Sequence, residues 1–128
     1  MIRGEVNQAL EPWIEIDIAD QQGQSHRVPA LLDTGFNGFL TLPSAWLLDM
    51  GLKRSGQARV TLADGSEIVS DLFIAQAILE GELLTIDVEA AETDPLAGMA
   101  LLQGYDVRLL IVPGGRVEAN AKPHSAVE

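Results

Sequence analysis

The sequence predicts a single mainly-β domain of about seven or eight strands with one or two short helices. Three observations carry that prediction. Apolar and acidic residues alternate through Trp13-Ile14-Glu15-Ile16-Asp17-Ile18, the two-residue period of a half-buried strand. Turn pairs, Asp64-Gly65 and Glu80-Gly81, separate extended apolar runs, and Asp-Gly between alternating runs is a strong hairpin signal. The composition is 47% hydrophobic and 21% charged over 128 residues, which favours a packed core over a disordered chain. A chain of this length buries roughly two-thirds of the surface its unfolded form exposes.

In chain order, residues 13–18 form the first strand and Asp20-Gln21-Gln22-Gly23 the turn that ends it. Arg27-Val28-Pro29-Ala30-Leu31-Leu32 resumes an extended run, so the two make a hairpin whose second strand delivers Asp33 to a loop. Gly38-Phe39-Leu40-Thr41-Leu42 reads as a short buried strand. Pro43 and Ser44 open a short helix, with Ser44 as N-cap and Gly51 as the stop. Residues 57–62 alternate, Asp64-Gly65 turns the chain, and the return strand runs from Glu67 to about Leu79. Leu83–Val88 is the next strand and residues 90–95 a polar loop. Leu96-Ala97-Gly98 is a short strand ending in a tight glycine, followed by one or two helical turns as far as Tyr105. Asp106–Val112 and Arg116–Glu118 are the last strands, joined by Pro113-Gly114-Gly115. The domain is expected to span 1–118, with 119–128 a polar, flexible tail. A faint internal echo, strand–Asp33-Thr34-Gly35–strand–helix answered by strand–Leu96-Ala97-Gly98–helix, points to two similar halves about a pseudo-two-fold.

Several functions are excluded at this level. Eight basic against nineteen acidic residues give a net charge of −11, so the chain lacks the basic footprint of a nucleic-acid or anionic-membrane surface. There is no cysteine, which removes disulfides, iron–sulfur clusters and thiolate zinc sites. His26 and His124 are the two histidines and neither has a second ligand at metal spacing, so no metal site is expected. Met1–Glu5 lacks the apolar core of a signal peptide, and the apolar runs are far short of a membrane span. A soluble, cytoplasmic protein is the expectation.

The chemistry concentrates in Ala30-Leu31-Leu32-Asp33-Thr34-Gly35 and the following Phe36-Asn37-Gly38. A strand ending in Asp-Thr-Gly sets a carboxylate at the mouth of a tight loop, where Gly35 supplies backbone freedom. Taken alone this is ordinary turn chemistry. Joined to a hairpin with an Asp64-Gly65 tip and to an apolar-x-Gly segment, Leu96-Ala97-Gly98, it resembles the retroviral-type (retropepsin-like) aspartic proteases. The likeness covers roughly residues 12–118. It is nearest to small bacterial single-domain members, some of which carry Asp-Thr-Gly-Phe-Asp-Gly.

The resemblance implies a closed acid-protease barrel and a peptide-bond hydrolase that uses water and no cofactor. Such chemistry takes two carboxylates: one, ionised, accepts a proton from water while the other, protonated, donates to the scissile carbonyl oxygen. Two carboxylates some 3 Å apart cannot both ionise, and so they share one proton. One Asp-Thr-Gly is present, and Leu96-Ala97-Gly98 carries no acid. The dyad therefore requires a homodimer with Asp33 of each chain at the two-fold axis. The resemblance makes Asp33 catalytic and has Thr34 hydrogen-bond across the axis, with Gly35 completing the loop. It makes the hairpin at Ala63, Asp64 and Gly65 a flap that closes over a polypeptide substrate. Leu96 and Gly98 would support the loop from beneath.

Two departures shape the expectation. Phe36 stands where many members have a small residue, and Asn37 replaces the acid common in the bacterial form; both are expected at the substrate pocket. Arg116-Val117-Glu118 is the nearest counterpart to the C-terminal dimer strand. The alternative reading is a non-catalytic retropepsin-fold module that binds a protein or dimerises, because a fold alone does not license an activity.

Overall fold

The computed structural model describes residues 1–122, in which the chain runs β1 (Ile2–Val6), β2 (Pro12–Ala19), β3 (Ser25–Leu32), β4 (Leu40–Leu42), α1 (Ser44–Asp49), β5 (Lys53–Thr61), β6 (Glu67–Leu79), β7 (Glu82–Ala90), β8 (Leu96–Ala97), β9 (Tyr105–Leu109) and β10 (Arg116–Ala121). The mainly-β expectation is met. All ten strands belong to one sheet in the order β5-β6-β7-β4-β8-β3-β2-β1-β10-β9, with a further ladder joining β6 to β2.

That further ladder arises because β6 is long. One of its edges pairs with β7 over Leu72–Leu79; β5 takes Glu67–Ile74, and β2 takes Gln76–Ile78. The pairings from β2 through β3, β8, β4, β7 and β6 therefore return to β2. Inside lie Ile14, Ile16 and Ile18 of β2, Ala30 of β3, Leu40 and Leu42 of β4, and Ile86 and Val88 of β7, all buried. Each set occupies alternate positions of its strand, which is the inward half of the pleat. The acidic partners Glu15 and Asp17 face outward, where Arg27 bridges both.

Helix α1 is held at its C-terminus rather than by its first residue. Gly51 N–H donates to Leu48 C=O and Leu52 N–H to Leu47 C=O, with Gly51 at φ +66°. These are the two bonds of a Schellman ending, which glycine adopts without steric penalty. Ser44 is not the N-cap: Pro43 holds that position, and the Ser44 N–H instead donates to Glu92 Oε1 at 3.0 Å.

Several elements and boundaries differ from expectation, among them the start of β5 at Lys53 where residue 57 was expected. Strand β1, unforeseen, pairs with both β2 and β10. The expected second helix is absent among the described residues: 99–104 is a series of turns whose bonds run three residues back, from Gln103 N–H to Ala100 C=O and from Tyr105 N–H to Leu102 C=O, with Gly104 at φ +86°. Strand β9 ends at Leu109 instead of Val112, where Val112 N–H folds back onto Leu110 C=O. Strand β10 runs on to Ala121, and Ala119, expected in the tail, is buried opposite Ile2. Residues 123–128, including His124, lie outside the described residues. Among the described residues no helix is long and apolar enough to cross a membrane.

Candidate active site

Asp33 follows β3 directly, and its position is set by β8 lying between β3 and β4. Leu31 and Leu32 run parallel to Leu96 and Ala97, while Leu40 pairs with Ala97 from the other side. The ladder continues past the strand end: Asp33 N–H donates to Ala97 C=O at 2.9 Å, and Leu31 N–H to Pro95 C=O at 2.8 Å. Two residues of β8 thus tie down the root of the Asp33 loop and the strand that leaves it.

The loop closes on its own carboxylate. Gly35 N–H donates to Asp33 Oδ1 at 2.9 Å, and Phe36 N–H to Asp33 C=O at 3.2 Å. Such an Asx turn holds a short loop with a side-chain acceptor. Among the described residues the Gly35 N–H is the one donor to the Asp33 carboxylate, which leaves Oδ2 available. Asp33 is half-buried, whereas Thr34, Gly35 and Asn37 are exposed. Asp33 is thus the least solvated member of its tripeptide and Thr34 is free to meet a neighbour.

Gly98 lies directly beneath this loop. A Cβ on Gly98 would stand 2.6 Å from Phe36 Cδ2 and 2.8 Å from Phe36 C=O, and closer still to Gly38 C=O. Gly98 N–H donates to Phe39 C=O at 3.0 Å. The apolar-x-Gly segment therefore packs against the Asp33 loop through backbone, with no room for a side chain. Leu96 of the same segment gives its N–H to Thr41 Oγ1 at 2.9 Å. Thr41 is the one buried polar side chain among the described residues. It was legible only as a residue of the apolar run Leu40-Thr41-Leu42, where it alternates with the two inward leucines, and no local signal marks its burial.

A cavity of about 630 Å³ opens beside the loop. Leu32, Thr34 and Asn37 border it on one side, and Met99, Tyr105 and Val107 on the other. Phe36 is not among its lining residues; its ring lies over Gly38, with Cζ 2.6 Å from where a Cβ would be. The structure therefore places Asn37 at the cavity and Phe36 in the packing beneath the loop. Met99, Tyr105 and Val107 have no place in the motif and were missed.

Ala63, Asp64 and Gly65 form the exposed tip of the β5–β6 hairpin and do not line this cavity. The tip is braced internally: Asp64 Oδ1 accepts from the Ser66 hydroxyl at 2.5 Å and from its N–H at 2.9 Å. Those bonds, the hydroxyl's first, hold the Asp64 carboxyl below its ordinary value. Among the described residues no group of three His, Asp or Glu side chains is arranged to hold a metal ion. Comparison of the chain with protein-family models, with curated proteins and with solved structures gives no match.

Proposed function

We propose that the protein is an aspartic endopeptidase that works as a homodimer, with Asp33 of each chain forming the dyad. The observation that carries this reading is the Asp33 loop itself: a half-buried carboxylate at a strand end, bonded by the Gly35 N–H and packed on Gly98 across a two-residue strand. The circuit of pairings from β2 round to β6 supports the closed acid-protease barrel that this reading requires.

In the proposed dimer the two carboxylates share one proton. The ionised one takes a proton from water as the water oxygen bonds to the scissile carbonyl carbon, and the protonated one gives its proton to the carbonyl oxygen. As the tetrahedral intermediate breaks its C–N bond, the proton taken from water passes to the leaving nitrogen, and one hydroxyl of the intermediate returns its proton to the other carboxylate, which restores the one-proton dyad. No covalent intermediate with the enzyme forms. The cavity between Leu32 and Val107 offers apolar surface for a substrate side chain, and the β5–β6 hairpin offers strand edges for an extended polypeptide.

The test is cleavage of an unfolded polypeptide at mildly acidic pH by the parent chain and by Asp33→Asn. Cleavage by the parent and none by the variant is the expected result. Equal cleavage by both would remove Asp33 from the chemistry. A parent that binds polypeptide but cuts none would favour the non-catalytic module.

A further inference from the structure

Among the described residues strand β9 lies at one free edge of the sheet, bonded to β10 alone. Its register pairs Val117 with Leu109, Glu118 with Arg108, Ala119 with Val107 and Asn120 with Asp106. Two bonds extend the same register at its ends, Leu110 N–H to Arg116 C=O and Lys122 N–H to Gly104 C=O. Antiparallel ladders alternate, so the even-numbered residues of β9 turn their main chain toward β10. Val107 and Leu109 therefore present N–H and C=O to the open edge, and the Tyr105 N–H, also turned away from β10, bonds Leu102 C=O.

We propose that this edge pairs with the same edge of a second copy of the chain, antiparallel and centred on Val107. The centre is selected by charge. With Val107 opposite Val107 of the second copy, Asp106 faces Arg108 of the second copy and Arg108 faces its Asp106, on the sheet face away from the cavity. Centring on Asp106 or Arg108 would instead set like charges opposite each other, which is unfavourable in a sheet. The pairing also extends an alternation already present: Arg108 lies across the ladder from Glu118, and Asp106 lies 3.8 Å from Lys122 Nζ. Opposite charges would thus continue from β10 through β9 into the second copy.

Apolar surface is available at the same place. Leu109, Leu110, Ile111 and Val112 are consecutive and exposed, Ile111 at 62%. The other free edge, β5, is less suited, because a register break between Arg54 and Gly56 interrupts it, a common device for blunting an edge. Val107 and Thr34 border one cavity, so pairing at β9 would set a second copy beside the Asp33 loop. The pairing does not depend on Asp33 being catalytic.

The experiment measures molar mass against concentration by sedimentation equilibrium for the full chain and four variants. The parent is expected to approach twice 13.7 kDa. Val107→Pro removes an N–H that faces away from β10, which an edge strand tolerates, and trims a side chain that packs at the margin of the core; it should leave a folded monomer. Asp106→Arg and Arg108→Asp should each weaken association about tenfold or more, from two opposed pairs turned into like-charged ones. The double variant carrying both exchanges restores complementarity between the copies, though it sets like charges against Glu118 and Lys122 within each, and should associate more tightly than either single variant. A monomeric parent, a Val107→Pro dimer as tight as the parent, or a double variant as weak as the singles would overturn the proposal. Cleavage without β9 pairing would overturn it and leave the protease reading standing. Pairing without cleavage would do the reverse.

Discussion

The Phe36 ring and Gly98 occupy adjoining space beneath the Asp33 loop, with Phe36 Cδ2 only 2.6 Å from where a Gly98 Cβ would stand. Gly38 lies under the same ring, 2.6 Å from Phe36 Cζ by the same measure. The two glycines nevertheless differ in what crowds them. At Gly98 the nearest neighbour is the Gly38 carbonyl, which is backbone, whereas at Gly38 the nearest atoms all belong to the Phe36 ring.

Substitution should separate these cases. Gly98→Ala and Gly38→Ala should each destabilise the chain by about 1–3 kcal/mol, as overpacked sites do. In a Phe36→Leu background, Gly38→Ala should become far less costly, because the ring atoms that it meets are gone. Gly98→Ala should keep its cost, since a carbonyl cannot rotate out of the way. A double-mutant cycle by urea unfolding measures both couplings. Equal rescue at the two positions would refute the backbone origin of the Gly98 constraint.

Replacements at Asp33 should divide by their ability to accept a hydrogen bond. Asparagine keeps an Oδ1 for the Gly35 N–H, and alanine does not. Asp33→Ala is therefore expected to be less stable than Asp33→Asn by about 0.5–1 kcal/mol, the net value of such a bond. Both should lose cleavage under the proposed function. Thermal unfolding of the two variants side by side gives the difference.

How much of this site was readable from the chain follows from which contacts are local. The Asp33 turn needs only residues 33–36, and its tripeptide announced it. Strand β6 was read from end to end because Asp64-Gly65 and Glu80-Gly81 bracket it. Strand β1 was missed although it alternates, Ile2 and Val6 buried with Arg3 and Glu5 exposed. Its central inward position is Gly4, which has no side chain because the Trp13 carbonyl fills that space, so the apolar period lapses where it was needed. A second short helix was expected after Gly98, but 99–104 is a series of turns with Gly104 at φ +86°, and Met99 and Ala100 bond the Asp33 loop. That bonding joins distant segments and has no local trace. That Gly98 would support the Asp33 loop was expected only from the family resemblance, which set Phe36 at the pocket and not against Gly98, and a parallel β3–β8 pairing leaves no periodicity to read.

Thr41 should prove as important to the loop as residues nearer to it. Its hydroxyl oxygen is the acceptor for the Leu96 N–H, inside an otherwise apolar interior. Thr41→Val keeps the shape and orphans that N–H, an expected cost of about 1–3 kcal/mol. Thr41→Ser retains the acceptor and should lose less. Amide exchange at Leu96 reports the bond directly: it should accelerate in Thr41→Val beyond what the global loss of stability explains, and stay protected in Thr41→Ser.

The alkaline limb of stability should belong to Tyr105. Burial first, then the negative charges of Glu80 and Glu82, push its phenol above the ordinary value of 10.0. The native state therefore holds this proton more tightly than the unfolded chain does. The stabilisation is fully present below the unfolded value and is lost as pH rises through the higher folded one, so unfolding free energy should fall above about pH 10. Tyr105 is the one tyrosine in the chain, which makes its ultraviolet absorbance a direct titration of this group. The native midpoint should lie above that of the urea-unfolded chain, and Tyr105→Phe should flatten the fall in stability. Coincident midpoints in the two states would show that neither burial nor Glu80 and Glu82 acts on the phenol.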